Sequence, residues 1–462
     1  MTSEVLEIDC IDSEIDLVIK TFLNEYELTG VPIEVSFRVL IPQLKKTDRY
    51  THLIHTYPAK LLMHIPFFFL NNNIFSKPGD TVLDPFCGTG TVLLEALLAK
   101  RNALGADANP LARLIAGVKT RTYSTTLLTN TLKSLLTPPF SDGDLFNFPD
   151  VVNIDYWFNK KNKEALLVLY NRINGIAIQE IREFFLVCFS NLVKKVSNAD
   201  PRVSVPVRLN AKRYIDGSTN FVKVEKRIKE LESVDVFNKF ESICKENIHR
   251  FNELKTAYST QDISVEAQLI SKDARNLTVS LDKNEKLPNE SIDLIITSPP
   301  YAGAQKYIRS SSLNLGWLNL ANSNELKYYD SLNIGRENYT NATQLLKKTN
   351  LTACDKLIEQ VALINIKRAL IVSNYIVEMQ SAILESIRVL KKNGYFIMIV
   401  GNNKVCDLEF NTQEYLSEFM ENNGLQLILK LIDDIKSYGL MTKRNKTADI
   451  ISREWVLIFK KI

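Results

Sequence analysis

The eight residues Asp84-Pro85-Phe86-Cys87-Gly88-Thr89-Gly90-Thr91 constrain the fold of this chain more than any other stretch. Upstream, Lys77-Pro78-Gly79-Asp80 is a turn signal, and Thr81-Val82-Leu83 reads as a short buried strand. Downstream, residues 91–100 (T-V-L-L-E-A-L-L-A-K) read as a helix and residues 103–106 as a second short strand ending at Asp107, after which Pro110 opens another helix. Strand, glycine loop, helix and strand in that order begin a doubly wound α/β sheet with parallel strands.

Glycines at the end of a first strand let the backbone approach a ligand closely, and the helix that follows offers unpaired N–H groups to a polar or anionic group. Asp107 comes seventeen residues past Gly90, where an acidic side chain can accept hydrogen bonds from the two hydroxyls of an adenosine ribose. A dinucleotide fingerprint would carry a third glycine, but Thr91-Val92-Leu93 stands there instead. That disfavours NAD and fits an adenosine-containing ligand without a pyrophosphate. Asp84, Phe86, Gly88, Gly90, Thr91 and Asp107 are therefore candidate ligand contacts; the plainer reading is a glycine turn of any α/β protein. Two weaker elements join them. His55-Thr56-Tyr57-Pro58-Ala59-Lys60 precedes the first strand, and either the Lys60 ammonium or a hydroxyl such as that of Tyr57 can meet a ligand carboxylate, or the loop simply packs under the sheet. Asp273, at the end of a presumed third strand (residues 268–270), can touch an adenine amine or cap a following helix.

The second strong motif is Ser298-Pro299-Pro300-Tyr301, directly after the buried strand I-D-L-I-I at residues 292–296. Two consecutive prolines cannot extend a central strand, since neither donates a backbone hydrogen bond. They make a rigid loop at the carboxyl ends of the strands, where open α/β sheets bind ligands. The Ser298 hydroxyl and the Pro299 carbonyl can both accept hydrogen bonds from one amino group, and Tyr301 can stack on a planar ring. The arrangement suits the exocyclic amine of a nucleobase; a strand-ending turn with a packed tyrosine is the alternative.

Length and composition bound the rest. A chain of 462 residues suggests about three domains, or two larger ones. With 45% hydrophobic and 24% charged residues it is neither disordered, collagenous nor a coiled coil. The most apolar run, residues 61–70, contains His64 and Pro66 and is well short of the ~20 residues of a membrane span. The acidic start does not have the order of a signal peptide. Six scattered cysteines form no C-x-x-C pair, so a reduced, cytoplasmic setting is the default. The net charge is only +4, yet residues 194–229 hold ten basic and three acidic side chains, +7. This stretch lies in a mainly helical region between residues 120 and 260. It is either a solvated helical face or a phosphate-binding surface through Lys194, Lys195, Arg208, Lys212 and Arg213. A helix at 374–391 and strands at 395–400, 425–432 and 455–459 complete the pattern. There is no Pro-Cys pair for attack at a ring carbon, no H-E-x-x-H, no G-x-S-x-G and no Walker loop.

Together these residues resemble the amino-directed DNA methyltransferases that use S-adenosylmethionine. D-P-F-C-G-T-G-T is similar to their cofactor loop, Asp107 to their ribose acid and T-S-P-P-Y to their catalytic loop; the S-P-P-Y spelling is more typical of cytosine-N4 enzymes, where adenine-N6 enzymes usually carry D-P-P-Y. H-T-Y-P-A-K, S-K-D-A-R-N-L (residues 271–277), residues 387–391 leading into Gly394-Tyr395, Arg444-Asn445 and Glu454-Trp455-Val456-Leu457-Ile458 extend the likeness over residues 50–120 and 265–462. The resemblance implies a Rossmann-like class I methyltransferase sheet of seven strands, mostly parallel, with helices on both faces. It implies a methyltransferase domain over 51–120 and 262–462, an N-terminal segment over 1–50 and a helical DNA-reading insert over 121–261. The implied cofactor is S-adenosyl-L-methionine, and the implied partners are double-stranded DNA and a separately encoded restriction endonuclease. An adenine-N6 enzyme, an RNA or protein amino methyltransferase and a non-catalytic nucleic-acid-binding subunit stay open beside cytosine N4. One departure from the family order is visible. Target-recognition regions usually follow the third strand, whereas this insert falls before Asp273, so residues 301–367 are a second candidate for that task.

Overall fold

The structure is a computed structural model, which describes residues 3–44, 49–58, 60–138, 148–259, 263–303, 306–337, 339, 346–434 and 453–462. Arg444 and Asn445 lie outside the described residues.

The described strands are β1 (Ile33–Val35), β2 (Thr81–Asp84), β3 (Asn102–Ala106), β4 (Ala267–Ser271), β5 (Thr278–Ser280), β6 (Lys283–Lys286), β7 (Ile292–Thr297), β8 (Leu390–Val400), β9 (Asn403–Val405), β10 (Leu408–Phe410), β11 (Leu425–Asp434) and β12 (Arg453–Lys461). Eight of them form one sheet in the order β1-β11-β12-β8-β7-β2-β3-β4. The ladders β4–β3–β2–β7–β8 are parallel, and β12 alone runs antiparallel to both its neighbours, β8 and β11. This is the expected mostly parallel α/β sheet. Its central strands read as unbroken apolar runs because both faces are covered: Leu83, Ile292, Leu294, Ile295 and Ile296 are all fully buried. Asp293, the polar interruption of I-D-L-I-I, is answered by the Thr81 amide at 3.0 Å and by Lys391 Nζ at 2.6 Å.

Helices α1 (Ser3–Thr29), α2 (Phe37–Leu40) and α3 (His64–Leu70) precede β2; α4 (Thr91–Leu98) and α5 (Pro110–Thr120) follow β2 and β3. Between α5 and β4 come α6 (Thr125–Leu136), α7 (Ile154–Trp157), α8 (Lys160–Asn174), α9 (Gln179–Lys195), α10 (Thr219–Ser233) and α11 (Val236–Ser259). Helices α12 (Tyr307–Trp317), α13 (Leu326–Leu332), α14 (Thr352–Ile364) and α15 (Ile366–Val389) separate β7 from β8, and α16 (Thr412–Glu421) precedes β11. Among the described residues no helix is long and apolar enough to cross a membrane.

One expectation is corrected and one is filled in. The sheet has eight strands rather than seven, and the extra one comes from the segment read as lying apart from it. β1 adds to the edge in parallel with β11, pairing Ile33 with Leu431, and α1 packs beside it through Ile15 and Ile19. A strand of three residues is too short to display an alternation in sequence. Second, the structure adds what the sequence left open: the insert packs directly against the sheet domain. It does fall before the third strand, between β3 and β4. Its buried face (Phe184, Phe185, Phe189, Phe240) is continuous with Ile115 and Val118 of α5 and with Leu315 and Trp317 of α12. Phe189 and Trp317 meet with ring centroids 5.9 Å apart.

Candidate active site

The strand order reverses between β2 and β7. Chain leaving β2 turns one way toward β3, and chain leaving β7 turns the other way toward β8, so a crevice opens above their carboxyl ends. Both singled-out motifs sit there. The loop after β2 is tied down by Cys87 N to Ala106 O at 2.9 Å and Gly90 N to Cys87 O at 2.7 Å. Gly88 and Gly90 both have left-handed backbone, with φ of 49° and 74°. They serve different ends. A Cβ on Gly88 would point into open space, so the absence of a side chain leaves the backbone bare on the crevice wall. A Cβ on Gly90 would lie 3.0 Å from the Ala116 Cβ, so this glycine lets α4 and α5 approach rather than admitting a ligand. The missing third glycine is also explained. Leu93 occupies its place on α4, and the strand supplies the room instead: a Cβ on Gly105 of β3 would sit 2.8 Å from Leu93 Cδ2.

The two carboxylates of this half, buried Asp84 and half-buried Asp107, are satisfied by local donors. Asp107 accepts from Gly88 N at 2.9 Å and from Asn109 N at 2.8 Å. Burial raises its pKa, and those amides with Arg113 oppose the shift. Asp84 accepts from Thr297 Oγ1 at 2.6 Å and Phe86 N at 3.1 Å; burial pushes it up to about 7. Asn109 had not been singled out, although an Asn before Pro110 is a helix-start signal. It caps α5 through Leu111 N at 3.0 Å and donates to the Tyr57 hydroxyl at 2.9 Å and Ser311 Oγ at 3.1 Å. Tyr57 thereby forms a wall of the crevice. Lys60 lines it too, with Nζ on the His52 carbonyl at 2.7 Å, and Thr91 is buried beside it. Asp273 faces the same hollow as Asp107 and Phe86. No helix follows it, so the capping alternative falls: the chain turns into the β5–β6 hairpin, and Arg275 grips both Asp273 oxygens at 2.8 and 2.9 Å. Leu332 and Ile334, missed in the sequence, give that hollow its apolar side.

Ser298 stands where this hollow meets a second one. The second is lined by Pro299, Tyr301, Thr91, Lys60 and Glu454, and both share Tyr57, Phe86, Gly88 and Tyr307. Ser298 and Pro300 are half-buried and Pro299 is buried. The Tyr301 hydroxyl donates to Glu454 Oε1 at 3.0 Å. Burial raises the pKa of both partners, so the phenol keeps its proton. Gly335 seats the loop from behind: its φ is +78°, a Cβ there would lie 2.8 Å from the Tyr301 carbonyl oxygen, and its own carbonyl accepts from Gly303 N at 2.9 Å. Glu454 was visible in the sequence only as part of a resembling stretch. Cys87 is buried and its thiol is pushed well above the ordinary range by burial, so it packs as a small apolar group.

The five basic candidates do not line the crevice. Lys194 Nζ holds the carbonyls of Val203 and Ser204 at 2.9 and 3.2 Å. Lys195 is half-buried. Arg208 lies 4.5 Å over the exposed Tyr156 ring, and Lys212 and Arg213 are exposed on a short 3-10 turn (Ala211–Arg213). The region nonetheless adjoins the site. His55 is pushed down to about 3, first by burial and then by Lys60, Lys195, Lys119 and Lys194.

Comparison with known proteins agrees with this geometry. A family model described as a DNA methylase, of the N6/N4 type, matches residues 68–116, from α3 through the glycine loop into α5. Over 427 residues the chain is 25% identical to the Type II methyltransferase M.MvaI of Kocuria varians, covering 87% of this chain and 88% of that protein. A stretch of 165 residues is 30% identical to the Type II methyltransferase M.MjaII of Methanocaldococcus jannaschii, covering 34% of this chain and 31% of that protein.

Proposed function

Because this chain belongs to the amino-directed DNA methyltransferase family, we propose that it methylates the exocyclic amine of a base flipped out of double-stranded DNA, with cytosine N4 as the acceptor. The observation that carries the reading is the position of Ser298 at the junction of two hollows, one acidic and one holding the Tyr301–Glu454 pair. The first hollow fits S-adenosylmethionine: Asp107 suits a ribose diol, Asp273 an adenine amine and the bare Gly88 backbone a close approach, while Asp84, at the adjoining second hollow, suits a cation. Bound there, the cofactor supplies an electrophilic methyl group on a sulfonium.

The residues of the chain then act on the base. The amine at cytosine carbon 4 is conjugated with its ring, so its lone pair is a poor nucleophile. Hydrogen bonds from that amine to the Ser298 hydroxyl and the Pro299 carbonyl draw the nitrogen toward sp³ geometry and localise the pair. Pro299 and Pro300 hold the acceptors in fixed directions, so no reorganisation is needed at the moment of reaction. Tyr301, clamped by Glu454, stacks on the ring of the base. Catalysis on this account is positioning and preorganised electrostatics, with no covalent enzyme intermediate. A neutral serine in place of an aspartate supports cytosine over adenine. Arg208, Lys212 and Arg213 would contact phosphates, which orient a duplex without specifying its sequence. The relatives are Type II methyltransferases by name, which supports a protective role beside a separately encoded endonuclease.

The test is incubation with methyl-labelled S-adenosylmethionine and unmethylated genomic DNA, then digestion to nucleosides and mass spectrometry. N4-methylcytosine is the expected product. N6-methyladenine would keep the mechanism and replace the base. No labelled nucleoside from a protein that binds the cofactor would sink the reading in favour of RNA or protein substrates.

A further inference from the structure

The α14–α15 junction is a hard, greasy corner at the mouth of the site. α14 ends at Ile364, Asn365 is the whole linker, and α15 begins at Ile366. Leu363 is 90%, Ile364 61% and Ile366 54% exposed. Single exposed aliphatics are ordinary, but three at one corner are not explained by packing. The corner is stiff. Asn365 N donates to Val361 O at 2.7 Å, closing α14, and Asn365 Oδ1 accepts from Arg368 N at 3.2 Å, capping α15. Val361 and Ala369, on either side, are fully buried.

Its place follows from topology. α15 runs directly into β8, which is parallel to β7, so the helix starts at the carboxyl edge of the sheet, where the crevice opens. Gly303, two residues past Tyr301, touches its first turns: a Cβ there would lie 3.5 Å from Ile371 Cγ2 and 3.7 Å from Arg368 Nη1. Ile366 precedes Ile371 by five residues, which at 1.5 Å per residue carries it about 7 Å farther out. The corner therefore projects beyond the catalytic loop at the carboxyl edge of the sheet, the edge at which the crevice opens. Its surroundings are basic. Lys367 and Arg309 are exposed, and Lys306 and Arg368 share one acid, Glu337, at 3.0 and 4.0 Å. Apolar tip and basic shoulders fit a duplex, whose base steps are apolar and whose backbone is anionic.

We propose that this corner, residues 363–367, is a wedge that enters the DNA duplex beside the target base and fills the gap that the flipped base leaves. The proposal rests on the flipped-base reading above. Inserted aliphatic side chains replace stacking that extrusion removes, as apolar wedges do in other DNA-bending proteins. The flipped state is then held open long enough for Ser298 and Tyr301 to engage the base.

The experiment uses the full chain and a duplex carrying the site mapped by sequencing DNA that the protein has methylated. Leu363→Ser, Ile364→Ser and Ile366→Ser, singly and combined, are compared with wild type on two substrates: the matched duplex and one with a mismatch opposite the target base. Because the residues are exposed, the variants are expected to fold and to bind cofactor as wild type does. The combined variant is expected to lose at least about tenfold in single-turnover rate on the matched duplex. On the mismatched duplex, where the base is already unpaired, the loss should shrink to within about threefold. 2-Aminopurine at the target position should lose its flipped-state fluorescence in the same order. Equal losses on both duplexes would overturn the wedge, as would no loss on either. So would a wild-type dimer that the substitutions convert to monomer, which would make the corner a self-association surface. Failure of wild type to methylate either duplex would instead overturn the function on which the wedge rests.

Discussion

At the scale of residues, the site is a set of acceptors whose charge is tuned by burial. Ser298 lines both hollows, whereas the neighbouring hydroxyls of Thr297 and Tyr301 are spent on Asp84 and Glu454. Replacing Ser298 by Ala removes one acceptor that strengthens as the amine pyramidalises. Single-turnover methylation is expected to slow about 10²-fold, the usual scale for one such preorganised group, while cofactor affinity stays within about twofold. A matching loss of cofactor binding would count against the role. Asp84 gives a pH signature. Its folded-state pKa is raised to about 7 by burial, so a large fraction is protonated in the ligand-free protein near neutrality. A cationic ligand beside it lowers that pKa again, so binding expels a proton and affinity rises as pH climbs through 7. Calorimetry of cofactor binding in buffers of different ionisation enthalpy should detect proton release at pH 7, and Asp84→Asn should abolish it. Buffer-independent heats in the wild type would refute the linkage.

At the scale of elements, legibility followed contiguity. The glycine loop and S-P-P-Y were readable because each belongs to one strand and its carboxyl end, and parallel strands announce themselves as apolar runs. Glu454 was not readable as a site residue because its partner Tyr301 is 153 positions away, and the β7–β8–β12 ladder is what brings them together. Tyr57 and Asn109 were half legible: each lay in or beside a noted motif, but the hydrogen bond that joins them did not. The three-residue β1 carried too little pattern to be seen at all. The α4–β3 contact shows how a missing signal can be compensated elsewhere. Leu93 fills the place of a third glycine, and Gly105 on the facing strand makes the room. Gly105→Ala is therefore expected to destabilise the fold by about 1–3 kcal/mol through overpacking, measured by urea unfolding. Leu93→Ala alone should cost a cavity, about 2–5 kcal/mol. The pair together should cost clearly less than the sum, since each change relieves the other. Strict additivity would mean that the two side chains do not share that space.

At the scale of the whole molecule, a buried histidine is one of the joints between the helical insert and the site, beside Thr56–Asn191 and Asn247–Ile54. His55 Nε2 meets Ser190 Oγ of α9 at 3.0 Å, and Asn314 of α12 donates to the same Ser190 hydroxyl at 2.8 Å and to its carbonyl at 2.6 Å. The loop that carries Tyr57, the insert and the helix after the catalytic loop therefore converge on one cluster. His55 must be neutral there: burial and four nearby lysines hold its pKa down to about 3, and its Nδ1 is buried without a hydrogen-bond partner among the described residues. A histidine depressed in the folded state gives stability that is present above its unfolded pKa, about 6.5, and lost as pH falls from there toward 3. Over that window its contribution declines by up to about 1.4 kcal/mol per pH unit. Wild-type stability from urea unfolding is thus expected to fall more steeply between pH 6.5 and 5 than that of a His55→Gln variant, which has no proton to take up. Because the cluster joins insert to site, the acid-side loss should appear first as faster amide exchange in α9 and α12, ahead of the central sheet. Parallel slopes for the two proteins would show that His55 is not the acid-sensitive joint. Early exchange in β2 and β7 instead would mean that the sheet, and not the seam between insert and site, yields first.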